Sequence, residues 1–388
     1  MNTAILHKDV QEYIKNYDAP LSKLAFSGSP FKDVMVQELM EQIESRKKAE
    51  KRLPSWFSSS NIYYPPKLNL EQTSSETTAN YKASLISGKT LADITGGFGI
   101  DSHAFSSHVE NVHYFEHNEE LSHIATHNFK MLKKTNIQCF TKDGIEAIKN
   151  SFYDVIYADP SRRHNTKGKV FFLNDCEPNI PENLSSLLKN CNVLMVKTSP
   201  MLDISAGLEE LKHTFKIHIV AVANEVKELV WLLKDNFEGT PKIITVNITT
   251  QEVEKFIFDW KQTADVVYEN PNRFLYEPNA AILKSGSFEL LSESFKIKKL
   301  HKHTHLYTSE ALREFPGRRF FIKKVVPYNK KYLKAAIDFQ KANITTRNFP
   351  ESVESLRKKW KIKEGGDMYL FFTTSIEEQK IVLFCKKI

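Results

Sequence analysis

Four acidic residues follow four short apolar runs, and their spacing could bring four carboxylates to one edge of a sheet. The runs end at Asp93, Glu116, Asp143 and Asp159. Because the parallel strands of an open α/β sheet present their carboxyl ends to one crevice, we expect these side chains to face a common ligand. A carboxylate at the second position can accept both hydroxyl groups of a ribose. The pattern therefore predicts a crevice for a nucleotide-like molecule.

A glycine-rich turn joins the first of these runs to a predicted helix. Gly96, Gly97 and Gly99 allow tight backbone curvature and the close approach of a ligand. Asp101 lies where the helix begins, so its carboxylate is predicted to cap free backbone N–H groups. Any sharp turn can use such glycines, so the acids that follow give this turn its functional interpretation.

These motifs resemble those of class I S-adenosylmethionine-dependent methyltransferases, over roughly residues 85–250. The resemblance is carried by Asp93-x-Thr95-Gly96-Gly97-x-Gly99-x-Asp101, Glu116, Asp143 and Asp159-Pro160. It implies an α/β fold with a Rossmann-like seven-stranded sheet, and S-adenosyl-L-methionine as the cofactor. The lack of a full GxGxxG motif argues against a nicotinamide-dependent dehydrogenase.

The resemblance also implies roles for single residues. The glycine turn would bind the methionine moiety, Glu116 the ribose, and Asp143 the adenine amine. Asp159 and Pro160 would face the methyl acceptor as the catalytic residues. The residues expected to bind the cofactor are Asp93, Thr95, Gly96, Gly97, Gly99, Asp101, Glu116 and Asp143.

The acceptor motif departs from the form typical of exocyclic-amine methylation, which is Asp/Asn-Pro-Pro-aromatic. This chain has Asp159-Pro160-Ser161-Arg162-Arg163, which resembles the Asp-Pro-Pro-Arg form of several RNA ring-atom methyltransferases. We interpret Asp159 as the residue that positions the acceptor and can take its proton. Arg162 and Arg163 would hold a phosphate or a base edge. Alternatively, these arginines pair with acids of the following loop.

The last quarter of the chain carries all of the excess positive charge. Residues 296–388 contain 22 lysines and arginines against 9 acidic residues, whereas the whole chain has a net charge of +7. Such asymmetry indicates a surface for a polyanion, and Arg318, Arg319 and Arg347 are the predicted substrate contacts. A solvated lysine-rich surface is the alternative.

The turns of this C-terminal stretch resemble those of the THUMP-like domain found in some bacterial class I methyltransferases. Thr346-Arg-Asn-Phe-Pro350 and Gly365-Gly-Asp367 carry that resemblance, and Tyr276-Glu-Pro-Asn279 resembles the ferredoxin-like piece before it. The resemblance implies RNA, either tRNA or rRNA, as the partner. Three histidines at 301, 303 and 305 would share one face of a strand. Solvated or phosphate-facing imidazoles are favoured there over a metal site, so no metal is expected.

Composition and length fit a soluble protein of several domains. The 388 residues are 41% hydrophobic and 26% charged, with no run long enough to span a bilayer and no visible secretory signal. The four cysteines are scattered, so reduced thiols in the cytoplasm are expected. We predict a helical region over 1–84, the methyltransferase domain over 85–250, a ferredoxin-like module over 251–310 and a basic THUMP-like domain over 311–388.

Three further expectations concern the elements around the crevice. A helix ending near Lys82 is predicted before the first strand, and Gln72, Ser75 and Lys82 are candidate cofactor contacts or ordinary capping residues. An apolar-faced helix is predicted over 225–234. The aromatic segment with Trp56 and Tyr64 is expected to pack on a neighbour, with a substrate groove as the alternative.

The sequence thus favours an S-adenosylmethionine-dependent methyltransferase of RNA. A methyltransferase of a small molecule or a protein is one alternative, and an RNA-binding protein with a relic methyltransferase core is the other. No cysteine stands in the acceptor motif, so a covalent cysteine mechanism lacks its nucleophile. No pattern indicates an oligomeric state.

Overall fold

The chain folds into two compact units. A computed structural model describes residues 1–65, 70, 73–162 and 172–388. The first unit comprises Met1–Ile217 with Lys227–Gly239, and the second comprises His218–Val226 with Thr240–Ile388. Within the described ranges, no helix combines the length and the apolar character that crossing a bilayer requires.

Helices open the first unit. The helices described before the first strand are α1 (Lys8–Asn16), α2 (Leu21–Ser27), α3 (Val36–Arg52), α4 (Pro54–Ser58) and α5 (Glu76–Ala83). Trp56, Tyr63 and Tyr64 are buried, which confirms that the aromatic segment packs inside the unit. Helix α5 begins after Ser75, whose hydroxyl accepts a hydrogen bond from the backbone N–H of Thr78.

A parallel sheet forms the centre of the first unit, and it confirms the predicted Rossmann-like α/β class. Strands β1 (Gly88–Asp93), β2 (Val109–Phe115), β3 (Ile137–Phe140), β4 (Tyr153–Ala158) and β7 (Cys191–Thr198) pair in parallel in the order β3-β2-β1-β4-β7. Their inner residues are apolar because both faces are covered, as Leu91 and Ile156 illustrate with no exposed surface. The ends of β1, β2 and β4 therefore meet at one edge.

Short helices alternate with these strands. They are α6 (Ile100–Phe105), α7 (Glu119–Met131), α8 (Gly144–Ile148), α9 (Ile180–Lys189) and α10 (Ile204–Glu210). A two-stranded ribbon of β5 (Ser161–Arg162) and β6 (Cys176–Glu177) follows β4. All four cysteines of the chain are free thiols.

The predicted helix over 225–234 is wrong. Strand β8 (Thr214–Val222) turns at Ala223 and Asn224, both with positive φ, into strand β9 (Glu225–Leu233). Two central residues with φ > 0 form a tight hairpin turn, which reverses the chain directly. A short buried apolar run is compatible with either helix or strand, so periodicity alone misassigned it. Strand β9 lies antiparallel to β7.

The second unit contains a seven-stranded sheet. Its strands are β12 (Phe274–Pro278), β13 (Lys298–His301), β14 (Thr304–Ser309), β15 (Gly317–Pro327), β16 (Asn343–Thr346), β17 (Met368–Thr374) and β18 (Lys380–Lys387), in the order β13-β14-β12-β15-β18-β17-β16. Strands β10 (Lys242–Ile248) and β11 (Val253–Asp259) form an antiparallel pair in the same unit. The helices are α11 (Ala280–Ser285), α12 (Leu290–Phe295), α13 (Lys330–Ala336) and α14 (Val353–Trp360).

Two apolar clusters stabilise this second sheet. Leu333 of α13 and Leu356 of α14 pack with Phe372 in one cluster, and Leu306 packs with Phe320 in the other. Burying such side chains contributes roughly 1.5–3 kcal/mol each relative to leaving them exposed. The helices α13 and α14 are thus fixed on the sheet by their own apolar faces.

Candidate active site

Backbone hydrogen bonds connect the glycine turn to the ends of two neighbouring strands. The amide of Gly96 donates to the carbonyl of Phe115 at 2.8 Å, at the end of β2. The amide of Asp159, directly after β4, donates to the Thr95 hydroxyl at 2.7 Å. Because the turn is tied on both sides, Asp93, Glu116 and Asp159 are held around it, as the sequence predicts.

Two of the three glycines are required by packing inside the protein. A Cβ on Gly96 would come within 2.2 Å of the Tyr114 ring, and a Cβ on Gly99 within 2.4 Å of the Phe129 ring. Gly97, with φ 55°, has nothing closer than 3.7 Å where its Cβ would stand. The open side of the turn is therefore at Gly97.

Glu116 is a buried carboxylate whose oxygens can accept further hydrogen bonds. Its Oε2 accepts from the amide of Gly97 at 2.8 Å, and its Oε1 accepts from the amide of Asn118 at 2.8 Å. A carboxylate offers about four lone-pair positions, so these two bonds leave each oxygen able to accept another donor. The arrangement suits a pair of hydroxyl groups.

Asp93 is buried at the end of β1 and satisfied by its neighbours. Its Oδ2 accepts from the Ser102 hydroxyl at 2.6 Å, and its Oδ1 accepts from the amide of Thr95 at 3.1 Å. Burial raises the pKa of Asp93 to about 7, although the Ser102 hydrogen bond opposes that rise. Asp93 is consequently only partly ionised near neutral pH.

Asp101 does not cap the helix, contrary to the expectation from sequence. The N-cap of α6 is Gly99, which has no side chain, and the Asp101 carboxylate turns instead toward other side chains. Its Oδ2 accepts from the hydroxyls of Ser74 and Tyr157, both at 2.8 Å. Its Oδ1 lies 3.2 Å from the Nζ of Lys82. Asp101 thus belongs to a buried network under the glycine turn.

Lys82 is the cation of that network and has no exposed surface. Its Nζ lies 2.8 Å and 2.9 Å from the two carboxylate oxygens of Glu228, and 2.9 Å from the Ser74 hydroxyl. Burial lowers the pKa of Lys82, but the carboxylates of Asp101 and Glu228 raise it by more than burial lowers it. The pKa of Lys82 therefore lies above its usual value. Lys82 is therefore charged. Because protein covers its whole side chain, it is not accessible to a cofactor.

Glu228 is a site residue that sequence reasoning missed. It lies in β9, is 2% exposed, and falls inside the segment 225–234 that the sequence predicts as a helix, directly before the buried residues 229–233. An acid at the start of a fully buried run is the one signal that could have identified it, because such an acid needs a cation.

Asp159 is paired with a lysine at the end of the neighbouring strand. The Lys197 Nζ of β7 lies 2.8 Å from Asp159 Oδ2, and 27% of the Asp159 side chain stays exposed. Burial raises the pKa of Asp159, and the Lys197 ammonium opposes that rise. Burial in turn lowers the pKa of Lys197, whereas Asp159 raises it above its usual value. An exposed carboxylate held by an ammonium can accept a hydrogen bond from a ligand.

Carboxylates outnumber ammonium groups in this part of the first unit. The acidic and basic side chains here are Asp93, Asp101, Asp159 and Glu228, with Lys82 and Lys197. Opposite charges attract more strongly at a partly buried site than in water. The crevice accordingly favours a positively charged ligand.

Asp143 lies beside the crevice, at the N-terminus of α8. Its Oδ1 accepts from the amide of Glu146, which makes it the N-cap of α8. A Cβ on Gly144 would lie 2.4 Å from the carbonyl oxygen of Ile94, so this helix start is packed against the residue that follows β1. Asp143 is exposed, so its carboxylate is accessible to a ligand.

Three of the predicted site residues lie wholly or partly outside the described residues. Gln72 and Arg163 lie outside the described residues, as does the side chain of Arg162, whose backbone pairs with Cys176 in the β5–β6 ribbon. Pro160 is buried directly before that ribbon.

The predicted substrate arginines of the second unit are held by acids. Arg318 and Arg347 both bind the carboxylate of Glu277, which is 2% exposed. The Nη2 of Arg347 lies 2.8 Å from Glu277 Oε1, and 35% of each arginine side chain is exposed. Arg319 pairs with Glu314 at 3.1 Å. One positive charge of the Arg318–Arg347 pair is left uncompensated, so a phosphate can still be attracted there.

The three histidines do not share one strand, since β13 ends at His301 and β14 begins at Thr304. His301 is buried, with Nε2 2.9 Å from a carboxylate oxygen of Glu378 and Nδ1 accepting from the Asn348 amide. The expectation of a solvated imidazole is therefore wrong for His301. Within the described ranges, no group of three or more His, Cys, Asp or Glu side chains is placed to hold a metal ion.

Comparisons with known proteins agree with this architecture. The profile of a ferredoxin-like domain matches residues 274–316, and that of a THUMP domain-like family matches residues 317–387. A crystal structure of a protein from Porphyromonas gingivalis W83, provisionally named a methyltransferase, is 32% identical, with a TM-score of 0.90. The similarity covers 99% of this chain and 98% of that one. No curated protein matches the chain.

More distant solved structures match less of the chain. A protein from Listeria monocytogenes, provisionally named a class I S-adenosylmethionine-dependent methyltransferase, is 12% identical over 64% of this chain and 90% of its own, with a TM-score of 0.39. A protein from Pyrococcus horikoshii, provisionally named an RNA methyltransferase, is 16% identical over 48% of this chain and 98% of its own, with a TM-score of 0.34.

Removing the buried lysine should destabilise the first unit. Lys82→Met leaves Asp101 and Glu228 buried without their cation, and breaking such a pair costs about 3–5 kcal/mol. The free energy of unfolding is measured by denaturant titration followed by circular dichroism. Lys89→Met, at an exposed position of β1, is the control and should change stability by less than about 0.5 kcal/mol. Equal stabilities for the two variants would contradict the role of Lys82.

The protonation of Asp93 should appear in the pH dependence of stability. The folded protein holds this proton up to about pH 7, whereas the unfolded chain releases it near 3.8. The stability that comes from the bound proton is therefore complete below the unfolded pKa and is lost as pH rises through about 7. Asp93→Asn imitates the protonated side chain and does not titrate. Its free energy of unfolding relative to that of wild type should therefore increase as pH rises from 3.8 to about 7, by up to about 1.4 kcal/mol per pH unit.

The measurement is the difference in unfolding free energy between wild type and Asp93→Asn across that pH range. Asp154→Asn is the control, because backbone amides of Thr90 and Lys89 lower the pKa of Asp154 and give its contribution the opposite slope. A difference that does not vary with pH would show that Asp93 is ionised throughout.

Proposed function

The chain belongs to the family of the Porphyromonas gingivalis protein, with a class I methyltransferase fold and C-terminal ferredoxin-like and THUMP-like domains, and from that premise we propose that it is an S-adenosylmethionine-dependent methyltransferase of RNA. The observation that carries the proposal is the buried Glu116 carboxylate beside the open side of the Gly97 turn. Two oxygens with acceptor capacity beside an open backbone are what a ribose in this crevice needs.

The residues of the crevice fit the cofactor part by part. Glu116 accepts the two ribose hydroxyls, the exposed Asp143 accepts from the adenine amine, and the turn at Gly97 makes room for the methionine moiety. Beneath the turn, Asp93 and Asp101 fix its shape through Ser102 and Lys82. When bound, S-adenosylmethionine supplies a methyl group on a positively charged sulfur.

The charge balance supports a cationic cofactor. Asp101, Asp159 and Glu228, together with the partly ionised Asp93, outnumber the two ammonium groups near the ends of β1 and β4. A ligand with a sulfonium and an amino group therefore gains attraction that a neutral nucleoside lacks. The same excess would repel a pyrophosphate, in agreement with the lack of a GxGxxG motif.

Asp159 positions the methyl acceptor and takes its proton. Lys197 holds one oxygen of the Asp159 carboxylate and favours its ionised form, while the exposed part of the side chain can accept a hydrogen bond from the nucleophile. Methyl transfer to nitrogen or oxygen releases a proton, and an ionised carboxylate at this position can take it. Pro160, buried next to it, fixes the direction of the backbone.

The acceptor is RNA, bound through the basic second unit. Residues 317–387, which match the THUMP domain-like family, contain 17 lysines and arginines against 7 acidic residues. The exposed parts of Arg318 and Arg347 can donate to phosphates. Binding of this kind weakens steeply with salt.

Two substitutions at the crevice should separate cofactor binding from methyl transfer. Glu116→Ala removes the ribose acceptor and should weaken S-adenosylmethionine binding by about tenfold or more. Asp159→Asn should leave that binding unchanged and reduce methyl transfer to cellular RNA by about a hundredfold or more. Calorimetry measures the first quantity, and incorporation of a labelled methyl group into RNA measures the second.

Asp154→Asn, at the opposite end of β4, is the matched control and should retain both activities. Full turnover by Asp159→Asn would contradict the role of Asp159. Cofactor binding with label entering protein or a small molecule, and none entering RNA, would identify another substrate class. Absence of cofactor binding would favour a non-catalytic RNA-binding protein.

A further inference from the structure

A groove of about 760 Å³ lies in the second unit, and the arginines discussed above do not line it. It is bounded by the segment after β15 and by the helices α13 and α14, and its lining includes Tyr328, Lys330, Lys334, Lys359, Trp360 and Lys361. Specific ligand sites have volumes of about 300–1,000 Å³. The groove is therefore large enough for a nucleotide or two.

Three lysines give this groove uncompensated positive charge. Lys330, Lys334 and Lys361 are exposed, and none of them forms an ion pair with another described residue. Lys359 is different, because its Nζ lies 3.1 Å from the carboxylate of Glu351 and 2.8 Å from the Tyr328 hydroxyl. Three free ammonium groups around one concave surface attract a polyanion such as a phosphodiester chain.

The groove also offers an aromatic surface at a fixed position. Trp360 ends α14 and packs against the cluster that contains Leu333 and Leu356, yet it remains only partly buried. The Tyr328 ring meets it nearly edge-on, with 6.3 Å between ring centroids. Aromatic rings beside basic side chains are how proteins bind unpaired bases, which stack on the ring while the cations hold the backbone.

We propose that this groove binds unpaired nucleotides of a single-stranded RNA segment, with a base on Trp360 and phosphates at Lys330, Lys334 and Lys361. The proposal rests on the proposed RNA substrate, and it specifies which part of the THUMP-like domain recognises the RNA and in which form. Bases inside a duplex are already stacked and cannot reach an aromatic ring, so a duplex should bind less well.

The test is the affinity of the full-length protein, without cofactor, for a fluorescein-labelled oligouridylate of about a dozen nucleotides. The triple variant Lys330→Ala/Lys334→Ala/Lys361→Ala should bind more weakly, and the slope of log K against log salt should become shallower by about 2, at about 0.7 for each phosphate contact. The triple variant Lys324→Ala/Lys386→Ala/Lys387→Ala removes the same charge from exposed strand positions and should keep most of the slope.

Stacking is tested separately at Trp360. Trp360→Leu should weaken binding by about fivefold or more. RNA should also quench the intrinsic fluorescence of wild type, and Trp360→Phe, which retains an aromatic ring for folding, should lose that quenching. Trp56 and Trp231 are fully buried, so contact with RNA does not account for a quenching change at either. Trp260 is partly exposed, as Trp360 is, so Trp260→Phe is the control and should keep the quenching.

Each outcome bears on a different claim. Equal effects of the two triple lysine variants, together with unaltered binding by Trp360→Leu, would contradict the proposal that the groove binds RNA. They would not contradict the proposal that RNA is the substrate. Tighter binding of a duplex of the same length would also overturn it. If wild type binds no RNA at all, both the groove and the RNA substrate are wrong, while cofactor binding is judged independently by calorimetry.

Discussion

The ion cluster around Lys82 is the constraint on which the crevice depends. One fully buried ammonium group joins Asp101 of α6 to Glu228 of β9, and Ser74 and Tyr157 complete the hydrogen bonds. A buried ion pair is favourable only when most of its donors and acceptors are satisfied, as they are here for the Lys82 ammonium. Because Asp101 follows the glycine turn directly, the cluster also fixes where α6 begins and hence the shape of the turn above it.

The acids of the crevice consequently divide into two groups. Asp93 and Asp101 are turned inward and satisfied by protein groups, so they shape the turn and contribute charge. Glu116, Asp143 and Asp159 keep acceptor capacity or exposure, and they are the groups able to contact a ligand. This division explains why one motif contains so many carboxylates: two of them fix the shape of the turn, and three remain available to a ligand.

Much of this arrangement could be predicted from the sequence, because it is encoded locally. A short apolar strand followed by an acid is a local pattern, and it located the ends of β1, β2 and β4 correctly. The partners of those acids are not local. Glu228 reaches Lys82 through a hairpin that hydrophobic periodicity assigned to a helix, and Glu277 meets Arg347 across the second sheet. Such pairings follow from tertiary packing, which no window of sequence contains.

The central claim is that the crevice binds S-adenosylmethionine, and calorimetric titration of the purified, ligand-free protein tests it most directly. Titrations with S-adenosylmethionine and with S-adenosylhomocysteine at low salt should both give saturable binding in the micromolar range. The cationic S-adenosylmethionine should lose more affinity than S-adenosylhomocysteine as salt is raised, since its sulfonium adds to the attraction of the acidic crevice. No heat of binding with either compound, for protein that is folded and free of ligand, would contradict the account.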